Sequence, residues 1–552
     1  MVTSPRGLRA VLPVAVSLGA ILLPAVAHAT SVLEFPDNGS EQMGRGGAWV
    51  ARASDPLAAF YNPAGLAGQE TRLTLQSNFA IQKTCFTRVK SSNDPTNEAL
   101  ADPNGKFPQV CGSTTPGIDP QLGLTYRLSD RVGIGILPLL APSAANSNVT
   151  WPSFVNDSRG VPQAAPQRYL LLSSNLVLVT PTIGIGIEVA EGFRIGAAFE
   201  LGIATFDFTT ASVGVNGSAS GGQPQPSAND ITAELKGHDY FIPGFTAGML
   251  WSATDSFDLA GWYHYQAPID ASGDITTQAN YFTGAVAKGN KSGIASGDTS
   301  QANCGVPNGP PICGNGNNAQ IKLVLPMEAK LGIRFHKLRS DVPIRRHTRD
   351  PIAQDVFDAE MDLTWANNSA ADYLQIRFPG DANGEGTIPI NGTPGNAPPN
   401  ADIRHHFMDT VGVRIGGDYN AIPDRLALRA GGFFETKGQD MQYQGLDIIG
   451  SQRFGFAIGG TYRVKLGKEQ KSALEIMAGL MHVFFADEDN SASTPGAGQG
   501  ALAGTNCDPH ETPSPNPNCA NGTQKFRTLW PVNLGTITNS INVLNVGLSY
   551  RF

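Results

Sequence analysis

The stretch "TIGIGIEVAEGFRIGAAFEL", residues 182–201, sets an apolar side chain at every second position on either side of a short break. Ile183, Ile185, Ile187 and Val189 share one face before Ala190–Gly192. Phe193, Ile195, Ala197, Phe199 and Leu201 share one face after it. Successive strand side chains point to opposite faces, so each run reads as a strand with one apolar face. Runs of about ten such residues, joined by tight turns, are the pattern of a membrane-spanning barrel whose wall alternates between lipid and lumen.

The same period recurs along the chain. Strands are expected near 71–82, 121–128, 131–138, 176–189, 193–206, 239–251, 256–267, 320–335, 355–365, 407–419, 425–435, 452–464, 472–485 and 541–552. Fourteen is an even number, as single-chain bacterial barrels require. The connections support the set. Those after even strands are mostly brief (Ser129-Asp130, Ala190–Gly192, Asn420–Asp424), and those after odd strands are long. Short periplasmic turns and long outer loops alternate in this way. The fold class is therefore all-β, a fourteen-stranded antiparallel transmembrane barrel. In the eighth strand Ile321, Leu323, Leu325, Met327, Leu331 and Ile333 read as one lipid-facing set. The turn after it, 336–350, is long and basic and reads as solvated.

The ends of the chain fit an exported protein. Arg6, Arg9, the apolar run Ala10–Val26 and Ala27-His28-Ala29 form a signal peptide over residues 1–29. The mature chain keeps 37 basic and 47 acidic residues, a formal charge of −10, which argues against nucleic acid as partner. No apolar run is long enough for a membrane helix, yet a closed barrel crosses a bilayer without one. The six cysteines fall as three local pairs, Cys85–Cys111, Cys304–Cys313 and Cys507–Cys519, and read as disulfides in long outer connections. No C-x-x-C with nearby His points to a metal.

If the apolar set meets lipid, the other set looks inward and carries the strand charges. These are Lys322, Glu328, Lys330 and Arg334, then Asp358, Glu360 and Asp362, then Arg414, Arg429, Arg453, Arg463 and Glu475. One Lys or Arg on the lipid face at mid-bilayer costs roughly 2–4 kcal/mol, so the alternation fixes the charges inside. Basic and acidic faces on strands eight and nine should form cross-strand ion pairs. Enzyme signatures are sparse. His405 and His406 precede Asp409 but point to opposite faces. "CDPHE" at 507–511 lies in a loop, and His482 is the one outward-facing histidine of interest. Neither G-x-S-x-G nor H-E-x-x-H occurs. The protein reads as no enzyme, with no catalytic residue, metal or cofactor.

Ahead of the strands lies "MGRGGAWVARASDPLAAFYNPAGLAG", residues 43–68. It resembles the N-terminal region of the FadL family of outer-membrane transporters for long-chain fatty acids and related hydrophobic compounds. The pattern rests on Gly44, Gly46, Gly47, Ala51, Ala53, Asp55, Asn62-Pro63-Ala64 and Gly65. Weaker echoes are "GWYHYQAPID", "IKLVLPMEAKLGIRF", "MDLTWANNS" and the terminal "LNVGLSYRF". The resemblance implies that residues 30–70 form a hatch inside a barrel of residues 71–552, with Asp55, Asn62, Pro63, Ala64 and Gly65 as the hatch motif. A fourteen-strand barrel encloses more space than its wall side chains fill, so a small apolar segment can pack there. Asn62-Pro63 suits a tight turn.

By the same resemblance, ligand is caught among the outer loops, moves to a lumen pocket near the hatch and leaves sideways through a kinked wall strand. Candidates for contact with ligand are Phe60 and Tyr61 in the hatch, and Trp151, Phe154, Tyr169 and Leu170 as an exposed first groove. Gly133, Gly135, Pro138 and Pro181 are candidates for the kink, because Gly weakens a ladder and Pro removes a donor. Pro243 and Pro326 are rival positions. The expected partners are outer-membrane lipid and one hydrophobic small molecule, with the protein acting as a monomer. A general diffusion porin, a barrel enzyme and a surface scaffold are the alternatives.

Overall fold

The computed structural model describes residues 38–90, 100–114, 117–141, 148–212, 230–278, 282, 319–341, 350–377, 400–468, 471–490 and 532–552. Fourteen antiparallel staves form the wall. They are β1 (Arg72–Arg88), β2 (Gly117–Ser129), β3 (Val132–Leu140), β4 (Ser173–Val179 and Thr182–Ala190), β5 (Phe193–Ser212), β6 (Ile231–Ser252) and β7 (Phe257–Gln266 and Ile269–Gln278). They continue with β8 (Ala319–Leu323 and Glu328–Leu338), β9 (Asp355–Ala366 and Tyr373–Arg377), β10 (Asn400–Arg404 and Thr410–Ile422), β11 (Leu426–Glu435), β12 (Arg453–Leu466), β13 (Ser472–Phe485) and β14 (Gly535–Arg551). Each stave pairs with its neighbours in sequence, and β14 returns to β1 in unbroken register from Arg72↔Arg551 to Arg88↔Gly535. Closure pairs the backbone groups that an open sheet edge would leave bare in lipid.

Side-chain direction follows the period of two. Ile183, Ile185, Ile187, Phe199, Phe245, Leu331, Leu363 and Ile415 are exposed on the outside, while Glu200, Glu328, Lys330, Arg334, Asp362 and Arg414 are buried inside. β8 departs from the single lipid-facing set expected of it. Pro326 has no N–H, and the chain leaves the ladder over residues 324–327. On re-entry the faces have exchanged. Ile321, Leu323 and Leu325 are buried inside, and Lys322, expected inside, is exposed. β7 does the same at Ala267-Pro268, beyond which Ile269 and Ala271 turn inward. The upper parts of β4 to β9 thereby enclose an apolar core that includes Leu178, Phe206, Leu235, Ile269, Ile321 and Leu374.

Two further expectations are adjusted. Cys85 lies on β1 itself, which runs past residue 82, and is bonded to Cys111 of the short strand Val110–Cys111. The pairs Cys304–Cys313 and Cys507–Cys519 and the signal peptide lie outside the described residues. The basic turn after β8 is not wholly solvated. Residues 342–349 lie outside the described residues; directly after the turn the chain forms a single helical turn, α3 (Pro351–Gln354), with Ile352 buried and Asn420 Nδ2 donating to Pro351 O at 2.9 Å. Just before it, the Asp350 carboxylate accepts from Arg463 at 2.8 and 2.9 Å and from Arg551 at 2.6 Å. Burial opposes that charge, but the two guanidinium groups outweigh it and hold the carboxyl well below the usual carboxylate range. The turn thus clasps β12 and β14 from beneath.

Candidate functional site

Residues 38–69 are buried and contain no strand. Two short helices, α1 (Ser40–Gly44) and α2 (Ala58–Tyr61), are followed by a 3₁₀ turn, Pro63–Leu66. Pro63 suits the first position of that turn, where no N–H is needed. Asn62 caps it, accepting from Ala64 N–H at 3.2 Å, and its Nδ2 donates to Val50 O at 2.8 Å and to Met249 O of β6 at 3.2 Å.

The wall meets this segment with glycine. A Cβ on Gly196 of β5 would lie 2.3 Å from the Pro63 carbonyl carbon, and one on Gly186 of β4 2.4 Å from its oxygen. On Gly133 of β3 it would lie 2.1 Å from Leu66 O, and on Gly248 of β6 2.0 Å from Asn62 Oδ1. The isoleucines alternating with these glycines face lipid, so one strand repeat serves two packings. Farther round, Gly44 lies against Arg429 of β11 and Gly459 of β12, Met43 against Gly479 of β13, and Ser40 against Gly547 of β14. Pro56 covers Gly123 of β2, Val50 covers Gly332 of β8, Asn78 of β1 donates to Asn38 Oδ1 at 3.0 Å, and Trp262 Nε1 of β7 donates to Phe60 O at 2.7 Å. With β9 and β10 added below, every stave touches the segment from within.

Its fastening to β9 and β10 is ionic. Arg45 binds Asp358 at 2.5 Å, Asp418 at 2.8 Å and Glu360 at 2.9 Å, and Arg52 binds Asp418 at 2.9 Å and also Asp358. Arg334 of β8 shares Asp358 at 2.8 Å, and Arg429 shares Asp418 at 3.2 Å. Asp362 accepts from the backbone N–H groups of Trp49 and Val50, and Glu360 from that of Ala51. Asp358, Glu360, Asp362, Arg334 and Arg429 are charges the alternation sent inward, Asp418 adds to them, and buried charges are tolerable when paired and hydrogen-bonded. Two carboxyls within the segment differ. Burial raises Glu41, but Arg52, Arg429 and Arg72 outweigh it and bring it to about 2. Burial and the Glu41 carboxylate push Asp55 up to about 7; its Oδ1 accepts from Leu57 N–H, and its Oδ2 has no hydrogen-bond partner.

A closed barrel with a non-strand segment seated inside it invites comparison with outer-membrane transporters. The model of the family described as outer membrane protein transport protein (OMPP1/FadL/TodX) matches residues 25–506. The chain belongs to this family. As a member of it, the protein resides in the outer membrane. Among solved structures it is similar to a FadL homologue of Pseudomonas aeruginosa, with a TM-score of 0.61 at 17% identity over 95% of this chain and 100% of that one. It is also similar to the toluene transporter TodX of Pseudomonas putida, with a TM-score of 0.50 at 13% identity over 94% and 99%. These likenesses concern the fold. No curated relative matches the chain.

Within this family member the candidate residues are distributed as follows. Phe60 and Tyr61 lie on α2. The Phe60 ring is 4.9 Å from that of His264, which meets Glu200 at 2.8 Å, and Lys330 Nζ stands 5.2 Å from the Tyr61 ring and 5.0 Å from the Trp262 ring. The exposed groove expected of Trp151, Phe154, Tyr169 and Leu170 does not form as such. Trp151 is buried with Phe86 and Ile537 from the tops of the staves and with Val110 of the short strand Val110–Cys111. Tyr169 is buried in a separate cluster with Val532 and Phe282, its hydroxyl donating to Asp230 at 2.7 Å; Phe154 and Leu170 are only partly buried beside them. Apolar side chains that fold over a barrel mouth are buried by one another, and sequence spacing does not reveal it.

Gly133 and Gly135 pair regularly with Gly186 and Gly184, and both underlie Leu66. The irregularities stand higher. β3 breaks register against β2 beside Pro138, and β4 is interrupted at Thr180-Pro181. A further apolar cluster joins Met43 of α1 to Phe433, Met481, Val483, Ile541 and Val543. Sequence reasoning missed it, although these residues occupy the inward parity of their staves. Of the histidines, His405 Nε2 meets Asp447 at 2.8 Å, His406 stacks on Tyr443, and His482 meets Asn542 at 2.7 Å. Among the described residues no group of three metal-ligating side chains occurs; residues 507–511 lie outside them.

Proposed function

We propose that the protein passively carries hydrophobic compounds, long-chain fatty acids or aromatic hydrocarbons, inward through the outer membrane. One observation carries this reading. A segment touching every stave fills the lower barrel, and apolar inward clusters, one of them including Met43 of that segment, stand next to it. A diffusion porin needs an open polar lumen, and apolar inward groups offer nothing to a polar solute. Residues 30–70 act as a hatch with the motif Asp55, Asn62, Pro63, Ala64 and Gly65. An apolar ligand collects on the outer loops, replaces side-chain packing among the inward clusters beside Phe60 and Tyr61, and leaves sideways where Pro138 and Pro181 interrupt the wall above Gly133 and Gly135.

The test uses cells lacking their own transporter for these compounds, given this protein and offered radiolabelled oleate or toluene. Uptake of either probe above the empty control, together with low ion conductance of the purified protein in planar bilayers, is the expected result. Uptake of neither, with a large steady conductance, would establish the porin instead. The choice between oleate and toluene names the ligand class.

A further inference from the structure

We infer that the outer edge of the lipid hydrocarbon lies at a belt of prolines, Pro181, Pro243, Pro268 and Pro326, and that the wall above this belt is a water-facing collar with its own apolar core. Pro181, Pro268 and Pro326 stand where β4, β7 and β8 are interrupted, and Pro243 lies within the continuous β6 where its pairing to β7 lapses. Below it the wall segments are of one length class: Thr182–Ala190 has 9 residues, Phe257–Gln266 has 10 and Glu328–Leu338 has 11. A tilted strand needs roughly 9–11 residues to cross the hydrocarbon. Each lower segment is thus a full crossing, and nothing above the belt is needed to reach the other side.

The ladder itself points to the same edge. β6 and β7 are paired up to Gly244↔Gln266 and again from His238↔Ser272, with no register between. β7 and β8 are paired up to His264↔Glu328 and again from Ile269↔Leu323. β8 and β9 are paired up to Glu328↔Ala366 and again from Leu323↔Leu374. Lipid offers no partner to the backbone groups released in such gaps, so lipid-exposed breaks belong at or beyond the hydrocarbon edge. In the first gap one backbone bond remains, Ala267 N–H to Pro243 O at 2.9 Å, and the Asp239 carboxylate accepts from Phe241 N–H at 3.0 Å and Asp270 N–H at 2.8 Å. A half-buried carboxyl group at that level is costly against lipid and is at home beside water.

Across the belt the chemistry of the two faces is exchanged. Below, Phe245, Met249, Tyr265, Leu331 and Ile333 look out. Above, the exposed positions include Lys236, His238, Asp270, Ser272, Gln320 and Lys322, and most apolar residues are inside, with Val177 of β4 exposed. Apolar outside suits lipid, and apolar inside suits water. At the join, a bulge opposite Ile203 leaves two consecutive aromatics outward, Tyr240 61% and Phe241 70% exposed. Aromatic side chains concentrate at the headgroup level, and these two fit that layer of the outer leaflet.

Lys322→Cys, Phe241→Cys and Leu331→Cys, each carrying a nitroxide in the full-length protein in lipid vesicles, test the inference, with the unsubstituted protein treated alike as background. A water-soluble nickel complex should relax the label at 322 more than oxygen does, the order should reverse at 331, and 241 should fall between. If Leu331→Cys does not fold, Phe245→Cys takes its place. Oxygen dominance at 322 equal to that at 331 or 245 would put the collar in hydrocarbon and overturn the inference.

Discussion

At the scale of single residues, small size matters as much as polarity. Gly196 has room for no Cβ, because Pro63 and Ala64 occupy that space. Gly196→Leu is expected to unseat the Pro63–Leu66 turn while leaving the barrel folded, read as faster proteolysis within residues 55–70 and raised conductance. Gly261→Ala, where a Cβ meets Met249 Cγ at an ordinary 3.4 Å, should change neither. Asp55 gives a second test. Its value of about 7 stands above the usual carboxylate range, so the packed segment is favoured while the carboxyl is protonated. That contribution is whole below pH ~4, the ordinary aspartate value, and drains away as pH rises through about 7. Hydrogen-exchange protection of residues 55–69 should therefore fall between pH 5 and pH 8, after correction for intrinsic rates. Asp55→Asn, which keeps an acceptor for Leu57 N–H, should flatten the profile; an unchanged profile would assign the pH dependence elsewhere.

At the scale of elements, the N-terminal segment is held in two ways. Its first half is tied by Arg45 and Arg52 to β9 and β10, and its second half rests on the glycines of β3 to β6. Breaking one member of a buried ion network costs about 3–5 kcal/mol, since the partners stay buried. Arg45→Met should accordingly release residues 40–52 at markedly lower urea, measured by exchange protection, while the lipid-facing wall stays protected. The staves themselves were legible because a period of two is hard to disguise: the residues of 182–201 announce both their direction and their turn. The glycines of that same stretch were equally visible, yet their use was hidden, since what they accommodate comes from residues 62–66. The face exchange in β8 escaped a reading that kept strict alternation through Pro326. Trp151 and Tyr169 were misjudged for a related reason, because their cover comes from residues as distant as Ile537 and Val532.

At the scale of the molecule, a wall of fourteen staves and an inner segment divide the work: the wall meets lipid, and the segment fills what the wall cannot. Removing residues 30–69 should turn a quiet barrel into one with steady conductance, provided heat-resistant migration on gels shows that the barrel still assembles; an assembled barrel that stays silent would mean that side chains of the wall close it unaided. The clasp at Asp350 carries a consequence for biogenesis. Asp350 precedes Arg551, one of its two arginine partners, by 201 residues. Whatever order the staves follow into the membrane, that clasp can shut only once the final one has arrived, so a loose α3 is the mark of a barrel still waiting for its last plank.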